Sequence, residues 1–594
     1  MAYLLNYSRY PVSSKLYDPR LAYSMHLAIS EDGKNFEALN HNSGVLFGLA
    51  TENEDGSLNP KCLKSTCLFP LKEGGYGVVC IRTAAEGEPD EQSIGKVLFY
   101  TTKDLVLYEC KGFVQVDDIH VMKVSCTLDE AKNSYVLTWM NGYGEWKQAV
   151  FADVCNIVLS GVTMCKPVQK EEIFVDIPGA VPENVIEITA QEADYLRKKL
   201  LTPSNVAMEL PKEVTVSSKE ELEALRAVAV YSDGTTAKKR IDWDLSGVNF
   251  EIPGIYEISG TVHQDHYEFP VAFDRADPCI GKWNGKYYFI ATNDADFNHT
   301  LYIREADTIP GLVNAKEHLI LDSSTYEGIG GLLWAPEFHI IEDKMYIFHA
   351  ATPGPFFEEE SHVLKLKEGG NMTRKEDWER PIRVVMADGS NICEMGKEIT
   401  LDMTCFEWEG DYYAIWSQRQ FLPKDLGAWL YIAKLNPKEP WKLLSEPVVL
   451  SKPDYSWANN HTFVDEGPFS LVVDNKLYIT YSSAAVDSSY VVNYMSIEAG
   501  KDLLTPANWF KNPYPVFTSR SVDGEFGTGH NAYVEDEYGD IWNTYHARPG
   551  VDGVRSSGIR RVHFDVDGVP RLDMTEELDV NPELKKVKVM LTIK

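Results

Sequence analysis

Five related segments follow one another in the C-terminal part of the 594-residue chain. Each has a polar residue, a short apolar strand, a turn and an aromatic-rich strand, as in the stretch DPCIGKWNGKYYFI at 277–290. The polar residues recur at nearly equal intervals and are Asp277, Glu337, Asp402, Glu466 and His530. Strand-rich repeats of this length are typical of propeller blades. The sequence therefore predicts a five-bladed β-propeller over residues 272–594.

The polar residues of the five repeats should converge, because the innermost strand of every blade lines one central channel. Four of the five are carboxylic acids, and carboxylates that meet in a channel are suited to general acid–base chemistry. Two are enough to cleave a glycosidic bond, provided that one stays ionised and burial or neighbouring charge keeps the other protonated. A third carboxylate can position the acid and tune its pKa.

The rest of the chain is also predicted to be all-β. Residues 1–165 alternate strand patterns with turns, residues 166–204 read as a linker with one short capped helix, and residues 205–271 contain closely spaced short strands. The pattern YSDGTT, WD and GIYEISGTV between 231 and 262 resembles bacterial immunoglobulin-like domains. We expect a small β-sandwich there, acting as a spacer or brace.

The repeats together resemble the five-bladed propeller of glycoside hydrolase family 43, chiefly its α-L-arabinofuranosidases. The phrases that carry the resemblance are ADPCIGKWNGKYYFIATND, LWAPEFHIIEDKMYIF, LDMTCFEWEGDYYAIWSQR, DEGPFSLVVDNKLYITYS and GTGHNAYVEDEYGDIWNTYHAR. The resemblance implies that Asp277 is the general base that activates water, Glu466 the general acid, and Asp402 the carboxylate that orients Glu466 and tunes its pKa. It also implies inversion of the anomeric carbon, with base and acid about 6.5–9.5 Å apart.

Three further site residues come from the same resemblance. Trp334 and Glu337 match a motif of the second blade that contacts the sugar, although Trp334 also suits a blade core. His530 matches a channel histidine that helps to hold a calcium ion through water, and the alternative is a polar plug of the channel. The chemistry itself requires no cofactor.

The N-terminal segment, residues 1–165, fits the same template without its acids. Ser65 stands eleven residues before Tyr76, as Asp277 stands before Tyr288, and a second hairpin has Val124 at the matching position. Because this segment is too short for five blades, we expect a partial, degenerate propeller-like module without catalysis. It would shape the rim of the active site or mediate oligomerisation.

The net charge of −32 argues against nucleic acid or an anionic membrane as a partner, because the surface would repel phosphates. The sequence has no apolar run long enough to span a bilayer as a helix, and its first residues lack the pattern of a signal peptide. A cytoplasmic enzyme is therefore expected, or a secreted one if a leader has been removed. Neither the oligomeric state nor the linkage preference follows from the sequence.

The leading functional hypothesis is an inverting, exo-acting α-L-arabinofuranosidase acting on arabinan, arabinoxylan or arabinogalactan oligosaccharides. A β-xylosidase or an endo-arabinanase would use the same carboxylates. A fructan hydrolase is disfavoured because it would need a fructan-type Asn-Asp-Pro-Asn motif, whereas here Arg275 and Ala276 precede Asp277 and Pro278. A non-catalytic sugar-binding propeller is the alternative of a different class, but it has no need of three carboxylates in register.

Overall fold

The C-terminal half of the chain folds into five antiparallel sheets whose first strands contact one another in a closed ring. The computed structural model describes residues 1–12, 16–167 and 173–594. Apolar clusters fill the space between neighbouring blades, so the alternating apolar residues of each strand are buried. The five-bladed propeller predicted from the repeats is confirmed.

The blades have the following strands. Blade 1 contains Arg275–Trp283, Lys286–Asn293, Thr300–Ala306 and His318–Asp322; blade 2 contains Gly331–Ile341, Lys344–Thr352, Glu360–Lys365 and Ile382–Arg383; blade 3 contains Glu398–Trp408, Asp411–Gln420, Gly427–Lys434 and Val448–Ser451; blade 4 contains Asp465–Val473, Lys476–Ser483, Val491–Glu498 and Phe510–Lys511; blade 5 contains Phe526–Glu535, Ile541–Arg548 and Ser556–Arg561.

The segment before blade 1 closes the ring against blade 5. The N–H of Val271 donates to the carbonyl of Ser557, and the N–H of Ser557 donates to the carbonyl of Ala272, both at 2.9 Å. Blade 5, which has three strands of its own, thereby gains an outer partner from the other end of the propeller.

The immunoglobulin-like unit is a sandwich of two small sheets, and its boundary differs from the prediction. One sheet contains Asn205–Glu209, Ala227–Tyr231 and Thr236–Lys239; the other contains Glu213–Val216, Ile241–Trp243, Gly254–Val262 and Lys586–Ile593. The last strand of the chain, assigned to the propeller from its position, therefore belongs to the sandwich. Its alternate residues Val587, Val589, Leu591 and Ile593 are buried, a period of two that places one face of the strand in the sandwich core.

The N-terminal module has three four-stranded sheets. In sheet order, the first sheet contains Ala180–Ile188, Ala2–Arg9, His26–Ser30 and Glu37–Ala38. The second contains Lys61–Pro70, Tyr76–Ala84, Lys96–Thr102 and Glu109–Gln115. The third contains Val121–Asp129, Ser134–Asn141, Trp146–Phe151 and Ser160–Met164. Residues 166–204 are thus more than a linker, because they supply the strand Ala180–Ile188. Residues 168–172 of that predicted linker lie outside the described residues.

The predicted helix of this region is Ala190–Leu200, capped by Thr189 and Glu192 in a capping box. Its residues Leu196 and Leu200 join a core that also contains Trp408 of blade 3 and Trp457 beside blade 4. The N-terminal module and the propeller therefore share one hydrophobic core. The other helices are the short turns Pro19–Ala22, Lys219–Glu223, Ile309–Leu312 and Glu576–Asp579, and none in the described ranges could cross a bilayer.

Candidate active site

A β-bulge in the inner strand of every blade sets the geometry of the site. At an equivalent place in each blade the inner strand gains an extra residue relative to the second strand, and the first residue of this bulge has a positive φ. Blades 2 and 5 have a further bulge three residues earlier. The first residues of the five equivalent bulges are Asp277, Ala335, Asp402, Gly467 and His530, with φ between 46° and 56°. Bulges of this kind turn a side chain away from the regular strand pattern and are common beside active sites.

The bulges correct the alignment of the repeats. Asp277, Asp402 and His530 occupy equivalent positions as predicted, whereas blades 2 and 4 have Ala335 and Gly467 there. Glu466 comes one residue before its bulge, and Glu337 two residues after the start of the bulge of its own blade. The alignment of the five repeats matched acids with acids, so it was displaced by one residue in blade 4 and by two residues in blade 2.

One cavity of about 400 Å³ collects the predicted catalytic side chains. Asp277, Asp402, Glu466, His530 and Trp334 all line it. They come from five different blades, which is possible because the five inner strands meet at one place. The volume is within the range of about 300–1,000 Å³ that is usual for small-molecule sites.

Asp277 is surrounded by cationic and hydrogen-bonding groups. Its Oδ1 lies 2.9 Å from Nδ1 of His546, 3.3 Å from Nδ1 of His530 and 3.3 Å from a guanidinium nitrogen of Arg555. Burial opposes a charge here, but Arg555, His530 and His546 outweigh it and hold the pKa of this carboxyl well below its usual range. These contacts therefore favour the ionised form of Asp277.

Asp402 and Glu466 experience the opposite effect. Burial raises the pKa of Asp402 to about 8, and the negative charges of Glu466 and Asp277 add to the rise. Burial also raises the pKa of Glu466, although Tyr490, whose hydroxyl donates to Oε1 at 2.8 Å, lowers it in part. Asp402 accepts the backbone N–H of Gly467, the residue next to Glu466, at 3.1 Å and so fixes the position of that strand.

His530 lies at the centre of these acids. Burial would lower its pKa, yet the surrounding carboxylates raise it overall, which favours the imidazolium. A cationic ring repels a metal ion, and the described part of the chain contains no group of three or more His, Cys, Asp or Glu residues suited to hold one. The residues therefore do not fit a directly bound calcium ion. The buried Nε2 of His530 has no hydrogen-bond partner, and a calcium ion held through water stays a prediction.

The two predicted sugar contacts differ in position. Trp334 borders the cavity, where its indole N–H donates to Asn298 at 2.8 Å. Glu337 is 3% exposed, is not among the residues that line the cavity, and lies 2.9 Å from Nε2 of His339. Its expected contact with the sugar stays a prediction.

Several site residues escaped the sequence comparison. Arg555 and Tyr490 each come directly before the third strand of a blade, outside the aligned two-strand repeat. Arg419 and Phe356 also line the cavity from blades 3 and 2. His546 lies in the sequence WNTYHAR of the fifth repeat, and only the structure shows that it contacts the carboxylate of Asp277.

The N-terminal module repeats the bulge without the acid. The strand Lys61–Pro70 shifts register between Lys64 and Cys67, and Ser65 has a φ of 51°. The hydroxyl of Ser65 accepts the N–H of Val124 in the next sheet at 3.0 Å, as Asp402 does for Gly467. The module thus has the blade geometry at the position predicted from Tyr76, with a hydroxyl in place of a carboxylate.

The chain matches two known families, and several known proteins, over part of its length. Residues 267–570 match the model of glycosyl hydrolases family 43, and residues 226–265 match the bacterial Ig-like domain (group 4). An "Extracellular exo-alpha-(1->5)-L-arabinofuranosidase" of Streptomyces chartreusis is 32% identical over 48% of this chain and 82% of its own length. "Alpha-L-arabinofuranosidase B" of Pyricularia oryzae is 33% identical over 51% of this chain and 62% of its own.

The chain therefore spans less than two thirds of the length of the latter relative. Among solved structures, an α-L-arabinofuranosidase from Lactobacillus brevis is 30% identical and superimposes with a TM-score of 0.46 over 52% of this chain and 96% of that one.

Proposed function

The chain belongs to glycosyl hydrolases family 43, and on this premise we propose that it is an exo-acting α-L-arabinofuranosidase that inverts the anomeric carbon. The observation that carries the proposal is the divergence of pKa values around one cavity. Asp277 is kept ionised while Asp402 and Glu466 are both pushed towards the protonated form. Opposed environments of this kind are typical of the base and the acid of an acid–base site. The choice of Glu466 rather than Asp402 as the acid follows the family resemblance.

In the proposed reaction Asp277 accepts a proton from a water molecule as that water attacks the anomeric carbon. The bond from the anomeric carbon to the leaving oxygen breaks, and Glu466 donates its proton to that oxygen. The products are free arabinose and the shortened sugar chain, and solvent restores the two protonation states. Asp402 acts by holding the strand of Glu466 through the backbone N–H of Gly467. Its tuning of the pKa of Glu466, which the family resemblance implies, stays a prediction.

The names of the relatives favour an arabinoside over a xyloside as the substrate. Both relatives described above are named arabinofuranosidases, and one name specifies exo action on α-1,5 bonds. We extend this specificity to the present chain, with arabinan, arabinoxylan or arabinogalactan oligosaccharides as substrates. The cytoplasmic location expected from the sequence stays a prediction, and the Streptomyces chartreusis relative is named an extracellular enzyme.

The test is hydrolysis of 4-nitrophenyl α-L-arabinofuranoside beside 4-nitrophenyl β-D-xyloside and linear arabinan. We expect the arabinoside to be cleaved with the higher kcat/KM, and arabinan to release monosaccharide from the start of the reaction. Faster cleavage of the xyloside would favour the β-xylosidase alternative. Early release of mixed oligosaccharides would favour endo action, and inactivity on all three would contradict the enzyme proposal.

A further inference from the structure

Three phenylalanines, two of them exposed and one partly buried, form a cluster at the edge of the cavity. Phe356 and Phe357 lie in the turn after the second strand of blade 2, and Phe421 follows the second strand of blade 3. Their ring centroids lie 5.0–5.6 Å apart, in edge-to-face arrangements. Phe356 is 40% exposed and Phe357 is 49% exposed.

The cluster is continuous with the cavity in which the carboxylates meet. Phe356 and Trp334 both line that cavity, and their ring centroids lie 6.1 Å apart. On blade 3, Arg419 also lines the cavity, and its guanidinium carbon lies 4.9 Å from the ring centroid of Phe421. Asp425 fixes that guanidinium with two hydrogen bonds of 3.2 and 2.7 Å.

Contiguous apolar side chains in water are unfavourable, and at the edge of a site they usually mark a binding surface. The sugar to be cleaved must lie inside the cavity, among Asp277, Asp402 and Glu466. The next unit of the chain, on the leaving-group side, must then lie outside it. Aromatic side chains offer large apolar contact areas, which suit the C–H face of a sugar ring.

We propose that Phe356, Phe357 and Phe421 bind the sugar unit of the leaving group. This inference rests on the proposed function, and it adds that the enzyme selects oligosaccharides over arabinosides with a small leaving group. The three residues lie on loops rather than on the repeated strands, so this specificity is independent of the catalytic carboxylates.

The N-terminal module supports the loop that carries Phe421. Lys424 lies 3.5 Å from Asp55, and a crevice between residues 53–60 and 424–426 lies beside them. Further along, the N–H of Ala50 donates to the carbonyl of Asp454 at 2.7 Å. The N-terminal module thus contacts the loop that follows Phe421. Its expected role in shaping the rim of the active site stays a prediction.

The experiment compares kcat/KM for α-1,5-linked arabinotriose with kcat/KM for methyl α-L-arabinofuranoside. In Phe357→Ala and Phe421→Ala we expect the ratio of triose to methyl glycoside to fall about tenfold, a loss of the size that aromatic contacts provide. Phe510→Ala is the control for Phe357→Ala, because Phe510 is 40% exposed, close to the 49% of Phe357, but lies on the fourth strand of blade 4. Its ratio should equal that of the wild type.

A second readout does not need turnover. Titration of arabinotriose into Asp277→Asn, with and without Phe357→Ala, should show about tenfold weaker binding in the double variant. The role of the cluster would be overturned, with the proposed function intact, if the ratios of both phenylalanine variants stayed within about twofold of the wild type and the affinity of the double variant stayed within about twofold of that of Asp277→Asn. A wild-type enzyme that cleaves neither arabinoside would overturn the proposed function and this inference with it.

Discussion

The charge of Asp277 depends on a guanidinium that no sequence repeat contains. Arg555 lies between Asp277 and Asp294, donating to both. Replacing it with glutamine removes a positive charge that lowers the pKa of Asp277, so this pKa should rise. Since the base must be ionised, the acidic limb of the profile of kcat/KM against pH should move to higher pH.

The control for this variant is Arg304→Gln, because Arg304 pairs with Glu317 in blade 1 and does not line the cavity. Its pH profile should match that of the wild type. An acidic limb that does not move in Arg555→Gln would show that this arginine does not set the charge of the base.

Tyr490 allows a test of the acid. Its hydroxyl donates to Glu466 at 2.8 Å and thereby stabilises the carboxylate. In Tyr490→Phe the pKa of Glu466 should rise, and the basic limb of the profile should move to higher pH because the acid stays protonated longer. A basic limb that stays in place or moves to lower pH would contradict the assignment of Glu466 as the acid.

For individual residues, the repeats correctly predicted that Asp277, Asp402, Glu466 and His530 lie around one cavity, because a polar residue recurs at a nearly fixed interval in the sequence. The groups that tune them were not predictable in the same way. Arg555 and Tyr490 precede third strands, whose sequences vary among the blades, and Arg555 reaches Asp277 from another blade. Only the closure of the ring brings that arginine to the acid.

Among the structural elements, the bulge of blade 4 leaves no room for a side chain at Gly467. A Cβ added to Gly467 would lie 2.9 Å from Nδ1 of His530, closer than real contacts allow. Gly467→Ala should therefore displace His530 and lower kcat about tenfold or more, since misplacement by about 1 Å costs up to about a hundredfold. The measurement is kcat on an aryl arabinoside.

The control is Gly410→Ala, in a turn with a similarly positive φ and nothing within 4 Å of the added carbon. Both variants should lose about 1 kcal/mol of stability from the left-handed backbone. Only Gly467→Ala should lose activity, and equal activity in the two would contradict a role for that contact.

The bulges also explain what an alignment of repeats misses. Alternation of apolar residues predicts a strand and its buried face. A residue inserted at a bulge changes which of the following side chains faces the cavity. Blade 2 therefore presents Ala335 at the position where the alignment placed Glu337. Nothing in the local sequence distinguishes these two registers.

For the whole molecule, the last strand ties the end of the chain to the immunoglobulin-like unit. Leu591 is fully buried in that sandwich, whereas Met590 beside it is 39% exposed. Leu591→Ala should lower the free energy of unfolding of this unit by about 2–5 kcal/mol, and Met590→Ala by less than about 0.5 kcal/mol. Denaturant unfolding followed by tryptophan fluorescence measures both. Equal losses would contradict the placement of this strand.

The domain order was predictable from local patterns, whereas the long-range pairings were not. The strands Gly254–Val262 and Lys586–Ile593 pair although the whole propeller lies between them in the sequence, and Ala180–Ile188 pairs with Ala2–Arg9 from within a predicted linker. Each of these strands has an ordinary sequence, and its partner is set by the packing of whole modules. The sequence therefore indicates which modules are present more reliably than where they end.

The most direct measurement of the acid–base assignment varies the leaving group. Glu466→Gln and Asp277→Asn are assayed on 2,4-dinitrophenyl α-L-arabinofuranoside, whose leaving group needs no proton, and on α-1,5-linked arabinobiose, whose leaving group needs one. Glu466→Gln should lose about 10²–10⁴-fold on arabinobiose and little on the dinitrophenyl glycoside. Asp277→Asn should lose a similar factor on both. Equal losses of Glu466→Gln on the two substrates, or an active Asp277→Asn, would contradict the roles proposed for these two carboxyl groups.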